Sequence, residues 1–267
     1  MRNRIVRVIL FAVAGSVFLI SSFIVVKYQM EMRAGANQAE VLTQMVVTPI
    51  TQESVGESTE ATVDETTEPV EETRPKLIAP IEVDFEALQT ENPDVVAWIY
   101  CPDTPIHYPV VQGEDNEYYL HRLLDGKSNA AGTLFMDWRN EADFSHWNSV
   151  IYGHNMKNNT MFGTLTDYKK QAYFDAHPQM YLLTPDENYL INLVAGFVTP
   201  ADGDVYNALY PEDEEKEQLI ESWLKASNFD SGYEPSVEDQ FITLSTCSYE
   251  YNNARYVLIG TLSTGAD

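Results

Sequence analysis

Phe241-Ile242-Thr243-Leu244-Ser245-Thr246-Cys247 is an apolar, β-branched run that ends on a thiol, and Arg255-Tyr256-Val257-Leu258-Ile259-Gly260 opens the next such run on a guanidinium. Runs of this length and composition, bounded by polar residues, read as β-strands. The short loop between them makes antiparallel neighbours, so the thiol and the cation meet at one end of a sheet. A thiol attacks as thiolate, and its ordinary pKa near 8.5 means that a cation or base must assist it at neutral pH. A guanidinium is charged at every relevant pH and offers forked donors, which suits a developing oxyanion. The chain has only Cys101 and Cys247, which argues against a disulfide framework. A bridge between them would consume the nucleophile.

Working outward from this pair, Val95 to Tyr100 and Ile106 to Val111 read as two strands joined through Cys101-Pro102-Asp103-Thr104-Pro105, a hairpin. Gly132 to Met136, Ser149 to Tyr152, Tyr181 to Leu183 and Tyr189 to Val198 are further strand-like runs. Asp84 is placed to cap a short helix through Phe85, Ala87 and Leu88, which Asn92-Pro93 ends. Met161, Phe162, Leu165 and Tyr168 recur at helical spacing. Pro211, followed by four acids, opens a helix that carries Leu219, Ile220, Trp223 and Leu224 on one face. About eight strands with a few helices and no βαβ alternation imply a mainly β chain closed into a barrel or a tightly curled mixed sheet.

The first 76 residues are of another kind. Residues 1–30 carry Arg2, Arg4, Arg7 and Lys27 and no acid, and Val8 to Val26 is an uncharged run of 19 residues. As a helix it would rise about 28 Å, close to the hydrocarbon thickness of a bilayer. The preceding basic residues place the N-terminus inside and the rest of the chain outside the cell. An uncleaved signal anchor is therefore expected; a cleaved signal peptide is the rival, with a shorter apolar core and a small-residue cleavage site that is not evident here. Residues 31–76 are rich in Thr, Glu, Val and Pro and read as a disordered acidic stalk, in which a short helix within Glu31 to Val47 would change little. As flexible chain it would span roughly 35–40 Å. Residues 77–267 form the globular domain, with 31 acids against 9 bases. That imbalance disfavours nucleic acid, whose phosphates require clustered Lys and Arg.

Five histidines are available to assist the thiol: His107, His121, His146, His154 and His177. The first three lie among charged, aromatic or turn residues and read as surface or packing groups, and His177 precedes a proline. His154 differs, because it leaves the strand Ser149-Val150-Ile151-Tyr152 through Gly153, where the backbone turns and presents the imidazole. Asp202-Gly203-Asp204 is too short for an EF-hand loop, and no histidine spacing suggests zinc. No metal or cofactor is expected.

Tyr152-Gly153-His154-Asn155-Met156, Thr243 to Cys247 and Asn253-Ala254-Arg255-Tyr256-Val257 resemble the His, Cys and Arg motifs of the sortases, cysteine transpeptidases of Gram-positive cell walls. Tyr108 to Gly113, Asp115 to Leu120, Phe135 to Asn140 and the helix at 212–226 resemble class B in particular. The resemblance runs from Phe85 to Leu262 in the family's order. It implies a sortase β-barrel of about eight strands with an N-terminal helix and a late helix between two strands. It also implies that Cys247 attacks the carbonyl after threonine in a sorting-signal peptide, that His154 exchanges protons with the leaving and incoming amines, and that Arg255 stabilises the oxyanion. A peptidoglycan precursor amine, lipid-linked or in a wall peptide, would accept the acyl group. Asn116, Leu120 and Ser245 match positions lining the family's peptide groove, with Tyr206 a weaker match. Where some class B members carry an acid two residues after the cysteine, this chain has Tyr249. Other cysteine-dependent peptidoglycan transpeptidases or peptidases are the alternative, although they do not require an arginine at this spacing. A non-catalytic surface module with a buried Cys247 is the alternative from a different class.

Overall fold

A computed structural model of the chain describes residues 2–50, 77–207 and 212–264. Its first elements are α1 (Arg2–Val46), β1 (Val47–Pro49), β2 (Ile81–Val83) and α2 (Phe85–Glu91), the last capped by Asp84 Oδ1, which accepts from the Ala87 N–H at 2.9 Å. The strands that follow are β3 (Val95–Tyr100), β4 (His107–Val111), β5 (Leu134–Met136) and β6 (Asn148–Tyr152). After them come α3 (Gln171–Ala176), β7 (Gln179–Leu183), β8 (Asn188–Pro200), α4 (Asp213–Ala226), β9 (Gln240–Cys247) and β10 (Ala254–Ser263).

Strands β3 to β10 form a closed, eight-stranded barrel in the order β10-β8-β7-β3-β4-β5-β6-β9. The β3–β4 hairpin and the β9–β10 pair are antiparallel as expected, while β4–β5 and β6–β9 are parallel. Closure leaves no strand edge open, and alternate residues divide between interior and exterior. Ile99, Val110, Met136, Ile151, Ile242, Leu244, Tyr256 and Leu258 share the main core. The exterior is covered on two sides, which is why strands such as β5 are buried at every position. One layer, with Trp98, Val111, Phe135 and Leu183, lies under α2 and the end of α1. The other, with Val150, Val257 and Ile259, lies under Ile220 and Trp223 of α4.

The late helix has a capping box in which Glu212 and Glu215 satisfy each other's backbone donors. The proline that precedes it, Pro211, lies outside the described residues. Leu224, assigned to the apolar face, is 36% exposed, because the face that packs is set by Ile220 and Trp223 with Leu219 half-buried beside them. The stretch from Met161 is not an α-helix at its start. Met161 has φ 54° and donates its N–H to the Tyr108 hydroxyl, and Phe162 donates to the His154 carbonyl. Those bonds tie 161–162 to β4 and to the β6 exit, so helical turns begin only at the 3₁₀ segment Leu165–Lys169.

The N-terminal region departs further from expectation. Residues 31–46, read as the first part of a stalk, continue α1 and pack on the barrel; 51–76 lie outside the described residues. Met32 and Ala39 touch the main core, Leu42 and Val46 are buried in the layer over Trp98, and the Glu31 carbonyl accepts from Asn129 Nδ2 at 2.8 Å. Met32, Ala39, Leu42 and Val46 fall on one helical face, a short pattern inside a polar composition. Strand β1 then pairs with β2 in register Val47↔Val83 and Pro49↔Ile81.

A chain starting at Leu77 therefore lacks part of this second layer. Burying Leu42 and Val46 contributes about 1.5–3 kcal/mol each, and a domain of this size shifts its Tm by about 2–4 °C per kcal/mol. Calorimetry is expected to show the Leu77 start melting roughly 6–24 °C below a start at Glu31.

Candidate active site

The site is built by strand register. Cys247 is the last residue of β9 and faces Arg255 directly across the antiparallel ladder, so both side chains emerge on the same face of the sheet. On the other side β9 pairs in parallel with β6, Tyr152 beside Ser245. Carrying that register two residues on puts His154 beside Cys247, with strand axes about 4.8 Å apart.

Three bonds hold the two strand ends in this alignment. The Gly153 N–H donates to the Ser245 carbonyl at 3.0 Å, Thr246 Oγ1 donates to the Gly153 carbonyl at 2.7 Å, and Asn155 Nδ2 donates to the Cys247 carbonyl at 2.8 Å. Gly153 is glycine because of close approach: a Cβ there would lie 2.4 Å from Leu134 Cδ2 and 2.6 Å from Phe162 Cδ2.

His154 is half-buried. Its Nε2 lies 2.7 Å from the Leu120 carbonyl oxygen, which only accepts, so Nε2 carries the proton and Nδ1 of the neutral ring is the free acceptor. The His121 ring stacks on it with centroids 5.7 Å apart and planes 21° from parallel. Burial pushes the imidazole pKa below its usual value; the Leu120 carbonyl opposes this and His121 adds to it.

Arg255 is half-buried, and its Nη1 donates to the neighbouring Ala254 carbonyl at 3.1 Å. Among the described residues it makes no ion pair with a carboxylate, so its charge is not already spent on one. Tyr206 stands over the same face, its hydroxyl 2.8 Å from Ser245 Oγ. Burial raises the phenol pKa to about 12, against the opposing pull of the Ser245 bond and Arg255, so it stays protonated.

Behind Tyr206 the ring of Tyr152 stacks at 6.1 Å and gives its hydroxyl to Asp137 Oδ2 at 2.9 Å. Asp137 is clamped by both arms of Arg139, whose Nη2 also donates to the Tyr206 carbonyl. Burial pushes the Asp137 carboxyl up, but the Arg139 and Tyr152 bonds outweigh it and hold it below the usual range. A fixed ionic network thus anchors the wall carrying Tyr206.

The structure gathers most of the expected residues. Cys247, His154, Arg255, Ser245 and Tyr206 lie on one face, and Leu120 reaches it through its carbonyl. Asn116 lies further out, with its side-chain oxygen accepting from the Trp138 N–H at 3.1 Å. Tyr249 is 79% exposed, and the acid after it, Glu250, is bound to Lys169 and Ser248, which hold its pKa down at about 2. Lys169 also sits 5.3 Å from the Tyr256 ring centroid, so it pins the β9–β10 loop. Cys101 is buried, and burial pushes its thiol up.

His107 packs against Trp98, His146 against Asn140 and His177 against Tyr173. His121, read as a surface or packing group, is exposed and packs by stacking on His154. The supports from Asn155, Thr246 and the Asp137–Arg139 pair are not separable from sequence, although each lies in or beside a quoted motif.

An eight-stranded mixed barrel with a thiol, an imidazole and a guanidinium at three adjacent strand ends is the architecture of a cysteine transpeptidase. Residues 99–263 match the sortase domain. The chain is 36% identical to sortase B of Listeria monocytogenes over 179 residues, 66% of this chain and 73% of that one. The structure of a Staphylococcus aureus sortase B–substrate complex superposes with a TM-score of 0.65 at 30% identity, covering 68% of this chain and 85% of that one. A sortase B complexed with triglycine superposes equally well, at 0.65 and 30% identity, over 68% and 86%. The chain belongs to the sortase family, in its class B.

His121→Phe keeps a ring on His154 and removes a group able to carry like charge. In an NMR titration the His154 midpoint is expected below the ordinary histidine value in the parent and higher in this variant. An unchanged midpoint would show the stack to be electrostatically silent.

Proposed function

We propose that this transpeptidase cleaves a sorting-signal peptide after threonine and transfers the acyl fragment to a peptidoglycan precursor amine outside the cell. The observation that supports the reading is the register: Cys247 pairs with Arg255 across β9–β10, and the parallel β6–β9 ladder ends at Tyr152 and Ser245, two residues before His154 and Cys247.

The Cys247 thiolate attacks the carbonyl carbon that follows threonine, and the C–O π electrons move to oxygen. The resulting oxyanion is met by the guanidinium of Arg255, which has no carboxylate partner of its own among the described residues. His154, as imidazolium, keeps its Nε2 proton on the Leu120 carbonyl and gives the Nδ1 proton to the leaving amine as the C–N bond breaks. A thioester remains on Cys247. The incoming amine then attacks it, Nδ1 takes its proton, and the C–S bond breaks to return the thiolate. Because burial disfavours imidazolium, the acid form is most available on the low-pH side and the base form above it. A bell-shaped rate profile follows.

Ser245 and Tyr206 form the floor and wall of the peptide groove, Leu120 lies at its His154 side, and Asn116 is an outer contact. A substrate complex and a triglycine complex among the solved sortase B structures support a peptide donor and a primary-amine acceptor. Arg2, Arg4 and Arg7 before the apolar run favour a single membrane pass with the N-terminus inside and the barrel extracellular.

The test uses full-length protein in detergent with quenched peptides carrying Asn-Pro-x-Thr or Pro-x-Thr-Gly motifs, with and without triglycine. Threonine-specific cleavage is expected, with a ligated product when the amine is present. Cys247→Ala is expected to abolish both while retaining the parent's melting behaviour, and turnover by that variant would sink the mechanism. Arg255→Lys is expected to lose about 10²–10³ in kcat, as when an oxyanion donor is removed. A near-normal rate would make the guanidinium structural.

A further inference from the structure

We propose that the barrel is mounted directly on its membrane helix, with the His154 side of the active site held against the lipid headgroups, so that α1 itself is the tether. This rests on the reading of Val8 to Val26 as a membrane span.

The extracellular half of α1 is part of the domain. Leu42 and Val46 are buried under the barrel's outer layer, and a Cβ at Gly35 would lie only 3.2 Å from that of Ala131. Both ends of 51–76 are fixed, because β1 pairs with β2, the Ile50 N–H donates to the Pro80 carbonyl at 3.0 Å, and the Asp84 N–H donates to the Val46 carbonyl at 2.8 Å. Ile50 and Pro80 therefore lie side by side on the domain, and the length of chain between them does not set the distance from membrane to active site.

What sets that distance is helix. Glu31 is five residues beyond Val26, a rise of about 7.5 Å. The polar headgroup layer is itself about 5–8 Å deep. At Glu31 the helix carbonyl is bonded to Asn129 Nδ2, the Asn129 N–H donates to the His121 carbonyl at 3.0 Å, and the His121 ring stacks on His154. One residue thus links the helix to the segment that cradles the imidazole. A donor or acceptor substrate held at the bilayer surface reaches the His154 side without the domain bending on a stalk.

The experiment reconstitutes full-length protein into phosphatidylcholine vesicles containing a headgroup-labelled acceptor lipid. A fluorescent donor is placed on Cys247, since Cys101 is buried. The parent is compared with a form in which 51–76 is replaced by Asn-Gly. Direct mounting predicts the same energy-transfer efficiency in both. A stalk shortened from 46 to 22 residues would bring the domain closer by roughly 10–13 Å, raising the efficiency and overturning the mounting.

Hydrogen exchange on the unaltered reconstituted protein gives a second reading. A 16-residue helix alone in water is marginal, so amides of 31–46 protected like barrel strands support docking, and coil-like exchange overturns it. Flotation separates the two readings. Protein that fails to float with the vesicles refutes the membrane span itself, whereas floating protein with altered transfer refutes only the mounting.

Discussion

The parallel ladder between β6 and β9 is the constraint on which the site depends. It sets Tyr152 beside Ser245 and so aligns the ends of two strands that are 93 residues apart at Gly153 and Thr246. Side chains on a strand alternate between faces, so a slip of one residue would send Cys247 into the barrel interior and leave His154 on the outside. The closed barrel resists that slip, because the same shift would expel Ile242 and Leu244 from a core in which both are fully buried. The energy that holds the catalytic geometry is thus core burial, transmitted through backbone register.

Around this frame the protein excludes water unevenly. Tyr206, Tyr152 and Asp137 form a wall fixed by an ion pair beneath it, and the fork of Arg139 connects that pair to the Tyr206 backbone. On the opposite side His154 is held by one carbonyl and one stacked ring, a lighter restraint, which suits the proton exchange proposed for it. Arg255 is left without a carboxylate among the described residues, which suits the oxyanion role proposed for it. The β9–β10 loop between Cys247 and Arg255 is pinned separately, by Lys169 on Glu250 and Ser248.

Much of this is legible in the sequence. The β-branched, alternating runs identify the strands, Asp84 and the acidic start at 212–215 mark helix N-termini, and the only two cysteines and the glycine-preceded histidine narrow the chemistry. The stalk reading fails for 31–49, because composition averages over a segment while packing depends on four residues on one face. His121 is exposed and packs on a ring, within its reading as a surface or packing group, but the identity of that ring is not legible. Its partner, His154, lies beyond the end of β6, and nothing local to Leu120-His121-Arg122 announces it.

The sequence by itself determined which residues could do chemistry and which segments would be strands, since both follow from side-chain type and short-range pattern. Only the tertiary structure decided which of those residues meet. Parallel pairing of β6 with β9, burial of Tyr206 against Ser245 and docking of α1 beside Asn129 join residues far apart in the chain. Such contacts are selected by the joint packing of a closed barrel, a condition that no local stretch of sequence contains.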